Sequence, residues 1–366
     1  MAAAAVVLAG ATAALYGSPA AAADSVREKQ WHLDFLKVGK AQRISTGRGV
    51  TVAVIDSGVS NHPDLAGSVI DGTDFLKAGG NGRTDRSGHG TAMAGLIAAH
   101  GKNSTGALGI APDAKILPIR VFNTKPQKDA EIGAAIEFAV SHGAKVINLS
   151  LGGGVDPATI DAVKAALEAD VVLVASAGNK PEDAGITAPA FIDGVIAVGA
   201  VDKSGKKADI SVSVSALDLM APGEDVESAD RDADYRAGTG TSDSAAIVSG
   251  AAALLRSKYP TMSATEVVER LESTATDKGA PGVDNDYGHG ILNIVAALNE
   301  PTISPTATTT SAAPAPAPTA TTSAASPQTE PAGNKIPLIA GGVAVLVLLG
   351  GLVAFFLLRR RTGSGS

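Results

Sequence analysis

The 366-residue chain contains no cysteine. That absence excludes disulfides, thiolate metal sites and a cysteine nucleophile. Aromatic residues make up only 3% of the chain, with a single tryptophan, a poor composition for an aromatic-rich binding surface. No basic stretch stands out before the C-terminal end, and the net charge is −7, which argues against nucleic acid as a partner. No phosphate-binding loop, dinucleotide fingerprint or internal repeat is evident. What is abundant is small and apolar: 42 glycines, and 45% hydrophobic residues overall. Such a chain supports a sizeable, closely packed core in one large domain or two ordinary ones.

The two ends differ from the middle. "MAAAAVVLAGATAALYGSPAAAADS" joins an apolar run to small residues, the pattern of a signal peptide over 1–23 with cleavage near Ala23, although no Lys or Arg precedes Arg27. At the other end Ile336 to Leu358 is uncharged and is followed by Arg359, Arg360 and Arg361. Its length suits a single membrane span, 336–358, with a cytoplasmic tail over 359–366 and the rest of the chain outside. Residues 300–335 are rich in Pro, Thr and Ala, and they read as a disordered stalk. An extended chain of that length, at about 3.1 Å per residue, reaches on the order of 100 Å. The expected product is a cell-membrane protein with its folded domain extracellular.

Between these ends, apolar runs alternate with helical ones. Val50–Asp56, Ala114–Phe122, Ala144–Gly152, Val171–Asn179 and Gly194–Asp202 read as buried strands. Gly90–His100, Asp129–Gly143, Asp156–Asp170 and Ser242–Pro260 read as helices. The alternation predicts an α/β fold of three layers, with a mostly parallel central sheet and helices on both faces. In such sheets function gathers at the carboxyl ends of the strands.

Three short segments place one polar residue each at a rigid corner. "VAVIDSGV" ends a strand on Asp56, "SGHGTAMAG" opens a helix at His89, and "GTGTSDSAA" opens another at Ser242. A serine hydroxyl needs a base to become a nucleophile, and an imidazole titrates in the right range. A buried carboxylate holds that imidazole in one tautomer and stabilises its charged form. Acyl transfer also needs donors for the oxyanion. Asn179, closing "ASAGN", supplies a neutral one, and the Ser242 backbone N–H at a helix start supplies a second.

"VIDSGV", "GHGTAMAG", "SAGN" and "GTSDSAA" together resemble the signature segments of the subtilisin-like (subtilase) serine proteases, in that family's chain order. "HPDL", "GIAPDAKI" and "YGHGILN" are similar to further family segments, so the resemblance spans about Gly49 to Leu298. It implies a serine endopeptidase with catalytic Asp56, His89 and Ser242, Asn179 in the oxyanion site, and no organic cofactor. It also implies that Ser150, Leu151, Gly152 and Gly153, in "NLSLGGG", bind substrate backbone and line a side-chain pocket. The entry segment Gln30–Val59, the proline-rich stalk and the terminal span resemble the mycosins, membrane-anchored proteases associated with type VII secretion. Residues 24–48 are too few for a folded prodomain and are expected to lie as an arm on a catalytic domain over 49–299. The partners implied are protein or peptide substrates and subunits of a membrane secretion complex. A scaffold role in that complex, with little dependence on proteolysis, is the alternative.

Asp243 and Ala246 depart from the family pattern, which has a Met-like residue after the nucleophile and a proline three residues later. Asp243 is expected to be tolerated and to raise the basicity of His89. Asp64, Asp71, Asp74 and Asp85 fall in a loop-rich stretch without the twelve-residue calcium loop, and they read as solvated acids rather than as a metal site. His62, His100, His142 and His289 read as structural or solvated, and His32 carries no signal.

Overall fold

The computed structural model describes residues 25–101, 104–124, 131–152 and 156–299. The expected signal peptide, stalk, membrane span and cytoplasmic tail, and Gly153, lie outside those residues. Among the described residues no helix is long and apolar enough to cross a membrane.

Three short helices open the described chain: α1 (Val26–Lys29), α2 (Trp31–Phe35) and α3 (Val38–Gln42). Seven strands then build a parallel sheet: β1 (Thr51–Asp56), β2 (Thr73–Asp74), β3 (Lys115–Arg120), β4 (Val146–Leu149), β5 (Val172–Ser176), β6 (Val195–Val201) and β7 (Leu219–Pro222). Their order is β2-β3-β1-β4-β5-β6-β7. From β1 the chain passes to the edge strand β2, comes back inward through β3 beside β1, and then crosses to the other side of β1 at β4. The carboxyl ends of β1 and β4 therefore flank a topological switch point, where open α/β sheets form crevices.

The strands are buried on both faces, as parallel sheets covered by crossover helices must be. Their period-two alternation is plain in β1. Val52 and Val54 face the layer of α4 (His89–Ala98) and α7 (Thr241–Lys258). Ala53 and Ile55 face the layer of α5 (Ile132–Ser141) and α6 (Pro157–Glu168). Residues 90–98 of α4 are all buried, and so is most of α7. The wealth of Ala and Gly in these two helices lets them pack closely on the sheet. In α6, Asp156 caps the Thr159 N–H at 2.7 Å and Pro157 follows at the first helical position, a strong helix start. The helix read from Asp129 has Glu131 at its cap position and begins at Ile132.

Strand β7 and the antiparallel pair β8 (Val226–Ala229) and β9 (Tyr235–Gly238) were not legible as strands. The last two read "VESA" and "YRAG", too short and too polar for a periodic signal. Helix α8 (Ala264–Ser273), which opens on a Ser263–Glu266 capping box, and α9 (Ile294–Asn299) complete the described fold.

Residues 25–48 lie against the rest of this unit through specific bonds. The Gln30 amide accepts from Leu108 N–H at 2.8 Å and donates to the Leu108 and Glu227 carbonyls, each at 3.1 Å. Arg27 donates twice to the Gly106 carbonyl, and Ser45 Oγ donates to that of Leu254.

Three of the four acids expected to be solvated are buried instead. Asp64 is fully buried and accepts from the Ala107 N–H and the Tyr235 hydroxyl at 2.8 and 2.9 Å. Asp74 pairs with the buried Arg120 at 2.8 Å. Asp85 sits under the first turn of α4. Each is buried because it meets donors that a folded chain brings together, which is how an acid is retained in an interior. Only Asp71 is left exposed, beside Arg83 and Asn81.

Candidate active site

Asp56 ends β1 and is fully buried. Its carboxylate meets His89 Nδ1 at 2.8 Å through Oδ1 and at 2.9 Å through Oδ2. A carboxylate only accepts, so Nδ1 carries the proton and Nε2 is left as an acceptor. The Ser57 N–H also donates to Asp56 Oδ1, at 2.7 Å. Burial works against the imidazolium of His89. The charge and hydrogen bonds of Asp56, helped by the charge of Asp243, outweigh it and the opposing Arg236, so the His89 pKa lies above the ordinary histidine value.

His89 is the first residue of α4, and the turn before it explains its position. Gly88 has φ 84°, and an added Cβ would stand 2.0 Å from Asp230 Oδ1, at the end of β8. Gly90 lets the Gly58 carbonyl approach to where its own Cβ would be, at 2.1 Å. Asp85 then gathers the turn. Its Oδ1 accepts from the Ser57 hydroxyl and from the Ser87 and Gly88 N–H groups, and its Oδ2 accepts from the Thr91 N–H and hydroxyl, all at 2.7–2.9 Å. Ser57 Oγ in turn accepts from the Gly90 N–H at 3.0 Å. Sequence reasoning set Asp85 aside. An Asp four residues before a glycine-flanked helix start was the available signal, since such acids cap first turns.

Ser242 is the second residue of α7, where a backbone N–H has no carbonyl four residues back within the helix to bond. Ser242 and Ser150 are cross-bonded: Ser150 Oγ donates to the Ser242 carbonyl at 2.8 Å, and Ser242 Oγ donates to the Ser150 carbonyl at 3.4 Å. The bond of Ser242 Oγ therefore goes to Ser150 rather than to His89. Long or misaligned nucleophile–base contacts are common before substrate binds. Asn148 supports the pair from below, bonding Ser150 Oγ at 3.0 Å and Ser249 Oγ at 3.1 Å.

The orientation of Asn179 follows from its partners. Thr241 directs its backbone N–H and its hydroxyl at one atom of the Asn179 amide, at 2.9 and 3.1 Å. An N–H requires an acceptor, so that atom is Oδ1, and Nδ2 is left without a protein acceptor among the described residues. The Asn179 N–H is held by Asp183 at 2.7 Å. Neither Thr241 nor Asp183 was singled out in the sequence, because their roles exist only across the fold.

His89, Ser242, Asn179, Ser150, Leu151 and Gly152 line one cavity of ≈ 270 Å³, together with Phe122, Thr187 and others. Asp56 stands behind His89, outside the cavity wall. His62 is buried and bonds the Asp234 carbonyl, His32 is fully buried, and His100, His142 and His289 lie away from this cavity. No cluster of His, Cys, Asp and Glu among the described residues suits a metal ion.

Asp243, the departure from the family pattern, is 4% exposed. Burial pushes its pKa up to about 6, against the pull of the His89 and Arg236 charges. An added Cβ on Gly238 would meet Asp243 Oδ1 at 2.3 Å, so the carboxylate is seated on the bare backbone of the 238–240 turn. Ala246 is fully buried within α7.

The model of the subtilase family matches residues 47–290. The chain is 41% identical over 257 residues to subtilisin DY of Bacillus licheniformis, covering 69% of this chain and 91% of that one. Among solved structures it resembles MycP1, described as a serine protease and an essential component of the type VII (ESX-1) secretion system. The TM-score is 0.68 at 30% identity, over 77% of this chain and 91% of that one. It also resembles the MycP3 protease of the type VII (ESX-3) system, with a TM-score of 0.65 at 33% identity, over 76% and 90% of the two chains.

Proposed function

The chain belongs to the subtilase family of serine proteases, and from that premise we propose that it is an exported, membrane-tethered endopeptidase of the mycosin kind, associated with type VII secretion. The observation that carries the catalytic part is the contact of Asp56 with His89 Nδ1 behind a cavity that also holds Ser242 and Asn179. Ser242 Oγ attacks the scissile carbonyl carbon while His89 Nε2 takes the hydroxyl proton. The carbonyl oxygen becomes an oxyanion between Asn179 Nδ2 and the Ser242 N–H. On collapse the C–N bond breaks, and His89 passes its proton to the leaving amine. Water, deprotonated by His89, then hydrolyses the acyl-Ser242 ester and returns the enzyme. Asp56 stays ionised throughout, fixing the tautomer and offsetting the imidazolium charge.

The membrane part rests on the uncharged run Ile336–Leu358 and the three arginines after it. The secretion part rests on the likeness to MycP1 and MycP3. The deciding experiment is labelling with a serine-directed phosphonate, comparing the wild type with Ser242→Ala. Labelling of the wild type alone is the expected result, and an unlabelled wild type overturns the catalytic reading. Alkaline carbonate extraction of membranes tests the anchor, since an anchored protein stays in the pellet.

A further inference from the structure

Strand β9 brings a cation to the catalytic pair. The register sets Arg236 opposite Ser228 of β8, and directly opposed residues of an antiparallel pair project from one face. Ser228 Oγ donates to the Ala92 carbonyl at 2.8 Å, in the first turn of α4. That face of the ribbon is therefore the one toward α4, and Arg236 stands on it near the helix start that carries His89. Tyr235, on the opposite face, sends its hydroxyl to Asp64. The charge of Arg236 reaches both His89 and Asp243 and works against protonation of each. Arg236 is half-buried, and among the described residues its guanidinium makes no hydrogen bond or ion pair. The acids that precede it are engaged with the backbone beside them: Asp230 accepts the Arg231 N–H at 2.7 Å and Asp234 the Tyr235 N–H at 2.8 Å. An unpaired cation beside a histidine that must take up a proton opposes the reaction, and such a group calls for an explanation.

We propose that Arg236 binds an acidic side chain in the leaving fragment of the substrate, within two residues of the bond that is cut. This rests on the proteolytic reading above and deepens it. Neither Arg236 nor Asp243 lines the cavity that holds Ser150, Leu151 and Gly152, where the acyl part of the substrate lies. The leaving amine has to come within reach of His89 Nε2 to receive its proton. The leaving fragment therefore runs off on the other side of the catalytic pair, toward the start of α4 and β9. A carboxylate there accepts from the guanidinium N–H groups and supplies the partner that the protein withholds. It also offsets the charge that Arg236 exerts on His89, so an acidic substrate eases the proton transfer to the imidazole.

The test is a set of internally quenched peptides with one cleavable bond, identical except that the first or the second residue of the leaving fragment is Asp, Glu, Asn, Gln or Lys. The purified full chain would be assayed as wild type, Arg236→Gln and Arg236→Lys, with phosphonate labelling to verify that each variant retains its site. For the wild type, kcat/KM for an acidic peptide should exceed that for its amide counterpart by roughly tenfold at one of these positions, the scale of one hydrogen bond to a charged group. The ratio should shrink at high salt, as for any partly exposed charge pair. Arg236→Gln should abolish the ratio, and Arg236→Lys should keep part of it. A wild type that cuts acidic and amide peptides equally, or an Arg236→Gln variant with an unchanged ratio, overturns the proposal and leaves Arg236 as a counter-charge to Asp243. A preference for Lys also overturns it and assigns recognition to Asp243. No cleavage of any peptide overturns it too, and if the wild type is also unlabelled the protease reading falls with it.

Discussion

Asp85 grips Thr91 twice, accepting its backbone N–H at 2.9 Å and its hydroxyl at 2.7 Å through a single oxygen. His89 lies between them in sequence, so the imidazole stands on a turn that this buried carboxylate ties together. The two-atom contact of His89 with Asp56 fixes the ring, while Asp85 fixes the backbone that carries the ring. Replacing Asp85 by Asn puts an NH₂ where only acceptors fit. A buried donor left unmet costs about 1–3 kcal/mol. At about 2–4 °C per kcal/mol for a domain of this size, the melting temperature should fall by several degrees, and kcat should fall with it. An unchanged melting curve would sink this account of the turn.

Asn179 Nδ2 is the donor left over once Thr241 has claimed Oδ1. Asn179→Leu keeps the volume and removes the donor, together with the Oδ1 that accepts from Thr241. The expected loss in kcat is about 10²–10³, a range established on subtilisin itself, with little change in KM. A loss confined to KM would show that Asn179 holds the ground state rather than the oxyanion.

Asp243 makes a pH prediction with two parts. Its charge raises the His89 pKa, so Asp243→Asn should move the acid limb of the kcat/KM profile to lower pH. The stability effect has a definite sign. Burial lifts the Asp243 pKa from 3.8 to about 6, so between those values the folded state binds more protons than the unfolded one. Stability from this group is therefore lost as pH rises through that window. Asp243→Asn should remove the loss and stabilise the protein at pH 7–8 by up to about 3 kcal/mol, with a smaller gain near pH 4. Denaturant unfolding at the two pH values measures it, and equal gains at both would refute the linkage.

Gln30 tests the N-terminal arm. Its side chain satisfies the Leu108 N–H and two carbonyls across the arm's contact with the fold. Gln30→Ala leaves those groups without a partner and should cost about 1–3 kcal/mol, read as a lower denaturation midpoint at constant slope. Removal of residues 24–45 should destabilise further. A truncated chain as stable as the full one would mean that the arm is not part of the folded unit.

How far the sequence could be read follows from the range of each signal. The five long strands and the helices α4, α6 and α7 were legible because one element's periodicity is written in its own residues. Strands β8 and β9 were not, since four residues of mixed polarity form a strand only because a partner lies beside them. The same holds for the acids. Asp64, Asp74 and Asp85 sit among polar loop residues and look solvated, yet each is buried against donors from distant segments, such as Tyr235 for Asp64 and Ser57 for Asp85.

By itself the sequence determined the parallel α/β architecture and four positions, Asp56, His89, Asn179 and Ser242, whose residue types and turns suit acyl transfer. Tertiary structure alone decided that Thr241 claims the Asn179 Oδ1, which leaves the NH₂ without a protein acceptor among the described residues. It also decided that Asp85 is a support and Asp243 a buried acid. Local sequence encodes backbone conformation and periodicity. Burial, hydrogen-bond direction and pocket size depend on which distant residues arrive at the same place, and only the folded chain settles that.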